Sequence, residues 1–459
     1  MSQGSGFGRT KKILIGIVDV ILFHLSIVLS FLIRYSWEIP GYNYFAYEKS
    51  QWYLFAIFIF INILFGVYIL YNKSRTDFLY LTVITQLLMA VIIMALTFLG
   101  RWFTFPRSVI GISFVVSVIV LLIWRLIVFK LYEKIDGTKS VMVVGSEEGC
   151  RKAIHNFESS KNNRHAITKA VVNNYYDHIA KNMDDVDIVY LADRIEDSEK
   201  RRIYDLLIRQ DKKLFVNTNF ENLVLVNPNI MSVEDESLIE VSNFRIPPED
   251  DLIKRVIDFF VSLLLLVIAS PIILISAILV KTTSQGPVFY RQTRITKDQK
   301  EFDILKFRTM SATAEKESGP VLATANDVRV TKVGKYFRAL RIDELPQLIN
   351  VLKGEMSLVG PRPERPFFVD QFNEANPYYY LRHNVRAGIT GYAQVYGKYA
   401  TDFNSKLNFD LLYIKKYSLL MDVKIMLQTI KILFDKVSSQ GVEDDIMLME
   451  IPDTVEVLK

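Results

Sequence analysis

Cysteine is almost missing from this chain of 459 residues, in which Cys150 is the only one. One thiol excludes an internal disulfide framework and any metal site built from several cysteines. The net charge is also small, at +5. It is no signature of nucleic-acid binding, and it fits basic residues that face anionic lipid headgroups and phosphorylated ligands. A cleavable signal is not expected, because the apolar run after Lys11 and Lys12 is too long and lacks a small-residue cleavage site.

Apolar residues, in contrast, are abundant: 50% of the residues are hydrophobic and 12% are aromatic. The first third contains four apolar stretches, each close to the roughly 20 residues with which a helix crosses hydrocarbon. They are residues 13–33, 52–70, 78–100 and 109–129. Basic residues precede the first stretch and follow the second and fourth, so the positive-inside rule places both ends of the bundle in the cytoplasm. We therefore predict a four-helix transmembrane bundle over residues 1–135.

The acidic and basic side chains within these stretches are those of Asp19, His24 and Arg125. The first two suggest either a proton path or packing within the helix bundle, and packing is favoured because no second acidic residue supports a relay. Arg125 lies near the end of its helix and is expected to extend its guanidinium to the membrane interface. Polar residues are too scarce in the spans to favour a transporter.

A soluble α/β module is predicted over residues 136–248. Short apolar runs at 141–145, 186–190 and 213–216 alternate with polar helical stretches, which indicates a small parallel, Rossmann-like sheet. A dinucleotide site needs a glycine-rich turn after the first strand. Here Glu147 and Glu148 occupy that turn and would repel a pyrophosphate. We predict a structural or dimerising module without a cofactor, so a homodimer is one hypothesis.

A fifth apolar run covers residues 256–280 and is long enough to cross the membrane. Basic residues flank both of its ends, so both ends favour the cytoplasmic face. Pro271 lies within the run and kinks a helix, and Ser270 can hydrogen-bond the carbonyls that the proline leaves free. We predict a re-entrant helix that enters the membrane, bends and returns; an ordinary kinked span is the alternative.

Two adjacent carboxylates, Asp343 and Glu344, precede a short predicted helix that has Pro346 in its first turn and Gly354 past its end. The positive end of a helix favours ionised carboxylates and attracts phosphate oxygens. Capping of the helix is the plainer explanation for such a pair. Basic residues, whose arginine forks suit bidentate phosphate recognition, cluster around the pair in the sequence. They are Lys306, Arg308, Arg329, Arg338, Arg341, Arg362 and Arg386.

A carboxylate that attacks phosphorus forms an acyl phosphate, which stays activated and can pass its group to a weak acceptor such as a phosphate monoester. The neighbouring carboxylate can hold Mg²⁺, which neutralises a diphosphate. Together the carboxylates, the cations and the membrane-embedded run suggest phosphate chemistry at a membrane surface, with Asp343 and Glu344 as candidate catalytic and metal-binding residues and capping of the helix as the alternative.

The region from about Lys254 to Thr429 resembles the bacterial sugar transferase family, the monotopic polyprenyl-phosphate phosphoglycosyl transferases. The motifs that carry the resemblance run in order through Lys254-Arg255 with Asp258, Ser270-Pro271, and residues 286–292, 306–310, 343–350, 354–357, 360–363 and 388–391. The four spans and the α/β module resemble the long-form subgroup, whose enzymes start exopolysaccharide, capsule or O-antigen repeat units. The catalytic domain is then expected over residues 249–459, as a mixed α/β fold on the cytoplasmic face of the bacterial inner membrane.

The resemblance implies transfer of a hexose 1-phosphate from a UDP-sugar to undecaprenyl phosphate, with release of UMP. It makes Asp343 the nucleophile, Glu344 its partner beside Mg²⁺, and Arg362 a residue of the phosphate site. Ala387 and Tyr392 depart from the family's usual proline and tryptophan, which concerns loop rigidity or sugar preference and leaves the carboxylate pair untouched. Which sugar is transferred is left open.

Two other classes of protein share features with this sequence. A non-catalytic scaffold or regulator of polysaccharide assembly would suit the bundle and the α/β module, but the carboxylates, Arg308 and Arg362 argue against it. The front half also resembles membrane sugar-nucleotide dehydratases, whose glycine fingerprint is damaged here and whose Tyr-x-x-x-Lys pattern is missing from a suitable place.

The stretch 411–437 fits an interfacial helix and core packing equally well.

Overall fold

A computed structural model describes residues 6–69, 75–100, 104–158, 165–241, 243–310, 329–397, 402–434 and 451–459. The chain folds as two compact units, Met1–Asn217 together with Asp445–Lys459, and Thr218–Asp444.

The helices among the described residues are α1 (Gly6–Arg34), α2 (Gly41–Leu64), α3 (Arg75–Leu99), α4 (Arg107–Asp136), α5 (Glu147–Glu158), α6 (Tyr175–Asn182), α7 (Asp197–Arg209), α8 (Phe220–Val224), α9 (Pro248–Thr283), α10 (Lys332–Ala339), α11 (Gln347–Lys353), α12 (Pro366–Ala375), α13 (Tyr392–Tyr396), α14 (Phe403–Lys415) and α15 (Leu419–Phe434). The strands are β1 (Lys139–Val144), β2 (His165–Val171), β3 (Ile188–Leu191), β4 (Lys213–Val216), β5 (Asn229–Val233), β6 (Glu236–Glu240), β7 (Phe289–Ile295), β8 (Glu301–Phe307), β9 (Ser357–Val359), β10 (Gly388–Thr390) and β11 (Glu456–Leu458).

The predicted four N-terminal helices are present as α1 to α4, and their apolar side chains are exposed on the outside of the bundle, as lipid contact requires. The bounds predicted for the second helix, 52–70, were wrong, because α2 begins at Gly41 and ends at Leu64. Its first turns carry Glu48 and Lys49 and were too polar to stand out as apolar sequence. In the described part of the chain, α1, α3, α4 and α9 are long and apolar enough to cross a membrane. The chain is a membrane protein.

A buried polar network joins the four helices of the bundle. Arg125 of α4 donates to Asp19 of α1 at 3.1 Å, to Asn62 of α2 at 2.6 Å and to Thr82 of α3 at 2.9 Å. The guanidinium is buried rather than extended to the interface, so that prediction was wrong. A buried cation needs a charged partner, and Asp19 supplies one from a helix far away in sequence.

The predicted parallel sheet of the middle module is confirmed, with strand order β11-β2-β1-β3-β4 and every neighbouring pair parallel. Its first strand is completely buried over residues 141–144. The edge strand β11 comes from the C-terminus, where Glu456 pairs with Lys169 in the register. Residues 451–459 therefore group with the unit that contains this sheet and not with the domain predicted over 249–459, and residues 218–248 group with Thr218–Asp444.

The larger hydrophobic core of the unit Thr218–Asp444 receives residues from α11, β9, α14 and α15. Leu411, Tyr413 and Ile425 are buried in it, so core packing explains the stretch 411–437 where it is described. Beside this core, β7 and β8 form an antiparallel ribbon, and β9 pairs with β10 in parallel.

Helix α9 runs through Ser270 and Pro271 as one helix of 36 residues. The hydroxyl of Ser270 donates to the carbonyl of Val267 at 2.7 Å, as expected for a serine beside a proline. Apolar side chains between residues 263 and 278 are largely exposed. Because the helix is continuous at the proline, the re-entrant path stays a prediction.

Candidate active site

The carboxylate pair lies on a single 3-10 turn, Ile342–Glu344, between α10 and α11. Arg341, just before the turn, has a left-handed backbone with φ of 56°, which lets the chain reverse sharply after α10. Pro346 directly precedes α11, and Gly354 follows it with φ of 87°. The predicted short helix, with proline at its start and glycine past its end, is confirmed.

Glu344 is held by three cations. Its carboxylate lies 3.1 Å from Lys306 Nζ, 3.5 Å from an Arg362 nitrogen and 3.6 Å from an Arg341 nitrogen. Burial alone would raise the pKa of Glu344, but Lys306, Arg362 and Arg341 together outweigh burial and lower the pKa to about 2. This carboxylate is therefore ionised throughout the physiological range.

Asp343 is in the opposite situation. Its side chain is buried, and its Oδ1 atom has no hydrogen-bond partner among the described residues. Burial and the adjacent charge of Glu344 raise the pKa of Asp343 to about 6, against the opposing effect of Lys306, Arg338 and Arg341. At pH 7 the group is mostly ionised but poorly solvated, which are the properties of a carboxylate nucleophile.

The surrounding cations differ in their exposure. Lys306 lies on β8, where burial lowers its pKa while the nearby Glu344 opposes that effect. The side chains of Arg341 and Arg362 are about 40% exposed, at 41% and 43%. Their guanidinium groups therefore flank the pair where an anionic ligand can reach them.

The structure brings Lys306, Arg341 and Arg362 to the carboxylate pair, and it shows other contacts for Arg386 and Arg308. Arg386 forms a two-pronged ion pair with Asp251 at 2.8 and 3.1 Å. Arg308 is buried and donates to the carbonyl and hydroxyl of Ser284, after α9. Arg329 precedes the isolated bridge between Met310 and Val330.

Arg338, one of the cations that the sequence places around the pair, belongs to the site. Its Nε donates to Thr309 at 3.0 Å, and its charge acts on Asp343. A residue without a predicted role is Asn350, which is completely buried. It accepts from the amide of Leu305 at 3.0 Å and donates to the carbonyl of Asp303 at 2.8 Å. These bonds fasten α11 to β8 and so hold Lys306 beside Glu344. A polar residue in the apolar face of a short helix was the available signal.

The N-terminal part of α9 anchors the same helix from the other side. Arg255 donates to the carbonyls of Val351 and Leu352 at the end of α11, where a cation is favourable. The carboxylate of Asp258 accepts from the amide of Leu358 at 3.1 Å. Arg255 thus fixes the position of the helix that follows the carboxylate pair, and Asp258 fixes the strand β9 that comes after that helix.

Comparison with known proteins agrees with this site. Residues 249–436 match the family model described as bacterial sugar transferase, and residues 63–208 match the model described as CoA-binding domain. A UDP-N-acetylgalactosamine-undecaprenyl-phosphate N-acetylgalactosaminephosphotransferase of Aeromonas hydrophila is 48% identical over 182 residues, which is 39% of this chain and 43% of that protein. A UDP-glucose:undecaprenyl-phosphate glucose-1-phosphate transferase of Escherichia coli (strain K12) is 35% identical over 263 residues, 52% of this chain and 56% of that protein.

A transferase of the latter name from Caulobacter vibrioides is 43% identical over 187 residues, which cover 39% of this chain and 69% of that protein. The chain belongs to the bacterial sugar transferase family. Its match spans about half the length of the Aeromonas and Escherichia relatives, and the residues matched by the family model, 249–436, include the carboxylate pair.

The match to a CoA-binding domain raises the question of whether the glycine turn after β1 fits a phosphate. The carboxylate of Asp193, which follows β3, accepts from the amide of Ser146 at 2.8 Å and from its hydroxyl. A Cβ atom at Gly149 would overlap this carboxylate. Since Asp193 occupies the turn, and Glu147 and Glu148 lie in the first turn of α5, these residues do not fit a phosphate group there.

Proposed function

We propose that this protein transfers a hexose 1-phosphate from a UDP-sugar to undecaprenyl phosphate, with release of UMP, through a covalent intermediate on Asp343. The names of the relatives support a UDP-sugar as the donor and undecaprenyl phosphate as the acceptor. The observation that carries the proposal is the divergence of two adjacent carboxylates: the pKa of Asp343 is raised to about 6, and that of Glu344 is lowered to about 2. Such a divergence separates the roles of two neighbouring acids.

In the first step an oxygen of the Asp343 carboxylate attacks the phosphorus that bears the sugar. The bond from that phosphorus to the oxygen bridging the two phosphates breaks, and UMP leaves with the bonding electrons. The product is an acyl phosphate that joins Asp343 to the sugar 1-phosphate. In the second step a phosphate oxygen of undecaprenyl phosphate attacks the same phosphorus. The Asp343 carboxylate is released unchanged, and the lipid diphosphosugar forms.

The cations around the pair stabilise the charge that develops in these steps. Lys306, Arg341 and Arg362 lie within 3.6 Å of Glu344, and Arg341 and Arg362 are exposed enough to contact the phosphates of a substrate. Glu344 holds these donors in place before the substrate arrives, so that little reorganisation is needed during the reaction.

Mg²⁺ fits the same place. Among the described residues there is no group of three or more metal-ligating side chains, but Mg²⁺ is commonly bound by one or two carboxylates together with substrate phosphates and water. Asp343 and Glu344 would supply those carboxylates, and the buried, unpartnered Oδ1 of Asp343 is compatible with a cation. When bound, the ion would neutralise the diphosphate and stabilise the leaving group.

The membrane arrangement is also proposed. Helix α9 contacts the same unit at both of its ends, through Arg255 with α11 and through Val280 with Phe307 and Phe337. The exposed apolar side chains lie between these contacts. This supports a re-entrant helix whose bend is at Ser270-Pro271, with the catalytic unit at the cytoplasmic face of the inner membrane. The reaction would be the first membrane step of exopolysaccharide, capsule or O-antigen synthesis.

The proposal is tested by measuring UMP release from a panel of UDP-sugars, with the full-length protein in lipid nanodiscs. With donor alone, the wild type should release no more than one equivalent of UMP, and turnover should require undecaprenyl phosphate. Asp343→Asn should abolish both, while Asp370→Asn, at an exposed carboxylate of α12, should retain them. A folded wild-type protein that releases UMP from no donor would support a scaffold, and Asp343→Asn with full turnover would exclude the intermediate.

A further inference from the structure

A cavity of about 330 Å³ lies between β7 and the start of α12. Residues 290–293 and 365–367 line it. Its volume falls within the range of small-molecule sites, and no residue of the carboxylate pair contributes to its wall.

Two residues that line the cavity, Tyr290 and Arg365, are close in the fold or in the sequence to residues that contact the carboxylate pair. Tyr290 of β7 lies directly opposite Lys306 of β8 in the antiparallel register, so their side chains are neighbours on one face of the ribbon. Lys306 Nζ is 3.1 Å from Glu344. Arg365 follows three residues after Arg362, which also contacts Glu344. Two residues that line the cavity are therefore neighbours, in the ribbon or in the sequence, of residues that contact Glu344.

The wall side chains suit a nucleotide. Phe367 is 51% exposed, and a planar base can cover such a ring favourably by stacking. Arg291 and Arg365 supply guanidinium groups for a phosphate. Five of the seven lining residues are polar or charged at their tips, which is unfavourable for a polyprenyl chain.

The two walls are fixed to each other by Arg294. Its guanidinium donates to the Gln292 side-chain oxygen at 2.7 Å and to the carbonyl of Pro363 at 3.1 Å. An ion pair with Glu364 at 3.5 Å adds to this connection. The cavity is thus formed before a ligand enters.

We propose that this cavity binds the uridine monophosphate part of the donor, with the base against Phe367 and the phosphate near Arg365. This inference rests on the proposed function. It assigns recognition of the nucleotide to residues outside the carboxylate pair. The sugar, which is bonded through oxygen to the reacting phosphorus, would lie outside this cavity.

The test is equilibrium binding of UMP to the full-length protein in nanodiscs, made in the Asp343→Asn background so that no turnover intervenes. Phe367→Ala and Arg365→Gln should each weaken UMP binding about tenfold, and Phe367→Tyr should restore it. Tyr380→Ala, which removes an exposed ring outside the cavity, should bind like its parent. Thermal unfolding of each variant separates lost binding from lost folding.

The steady-state counterpart uses the variants with Asp343 intact. Phe367→Ala should raise KM for the UDP-sugar about tenfold, with little change in kcat or in KM for undecaprenyl phosphate. Unchanged UMP affinity in both Phe367→Ala and Arg365→Gln would overturn the proposal. An increase confined to KM for the lipid acceptor would also overturn it and would make the cavity a lipid contact. If UMP binding depends on Phe367 but no UDP-sugar reacts, the proposed function fails and the site stands.

Discussion

Replacing Asp343 with asparagine is expected to stabilise the protein while it abolishes turnover. Burial and Glu344 raise the pKa of this carboxyl from 3.8 to about 6. At about 1.4 kcal/mol for each tenfold change in ionisation, the ionised form costs about 3 kcal/mol in the folded state. Because the folded-state pKa is raised, protonated Asp343 makes a contribution to the free energy of unfolding that is fully present below pH 3.8 and is lost as the pH rises through 6. Asparagine, which has the shape of the neutral form, does not carry this cost.

Glu344→Gln should have the opposite effect. Its cation partners lower the pKa of Glu344 from 4.5 to about 2, so ionised Glu344 contributes about 3 kcal/mol that is present above pH 4.5 and is lost as the pH falls through 2. Removing the charge at pH 8 also leaves Lys306 buried without its partner. The two substitutions, at neighbouring positions and of the same chemical kind, should therefore change stability in opposite directions.

The assay is thermal unfolding of the full-length protein in nanodiscs at pH 8 and at pH 4. For a unit of the size of Thr218–Asp444, 3 kcal/mol corresponds to a change of about 6–12 °C in Tm. Asp343→Asn should raise Tm by about this amount at pH 8 and by little at pH 4, and Asp370→Asn should change it at neither pH. A lower Tm for Asp343→Asn at pH 8, or an equal increase at both pH values, would refute the reasoning.

Three further outcomes are expected. The value of kcat/KM should fall about tenfold for each pH unit below 6, because the nucleophile must be ionised, and Glu344→Gln should move this limb of the pH profile to lower pH by removing a charge that raises the pKa of Asp343. Titration calorimetry should detect no binding of CoA to the wild type, since Asp193 occupies the glycine turn, and a dissociation constant below about 1 mM, typical of a modest specific site, would contradict this. Asp19→Leu should lower the free energy of unfolding by about 3–5 kcal/mol because it leaves Arg125 buried without its partner, and adding Arg125→Leu should recover most of the loss; equal destabilisation by the single and double changes would count against the network.

Local patterns predicted the parts of the site that depend on neighbouring residues. Pro346 and Gly354 defined the short helix because each restricts the backbone at its own position. The turn that carries Asp343 and Glu344 lies directly before it. The cations that hold Glu344 include one neighbour in sequence, Arg341, while Lys306 comes from strand β8 and Arg362 from the segment after β9.

Long-range pairing was invisible to the same patterns. Arg386 has a side chain suited to phosphate binding, but it is paired with Asp251, which is 135 residues away in the sequence. Arg125 was expected at the membrane interface. Its buried partner, Asp19, lies on another helix, so the sequence near Arg125 gave no sign of the pair. The strand Glu456–Leu458 is too short to have a periodic signal, and its place beside β2 follows only from the folded sheet.

Mass spectrometry of the peptide that contains Asp343, after the enzyme is incubated with its UDP-sugar in the absence of undecaprenyl phosphate, tests the central claim most directly. The account predicts a hexose phosphate attached to Asp343 that disappears when the acceptor is added. Lipid product in parallel samples without any adduct, or an adduct on a different residue, would contradict it.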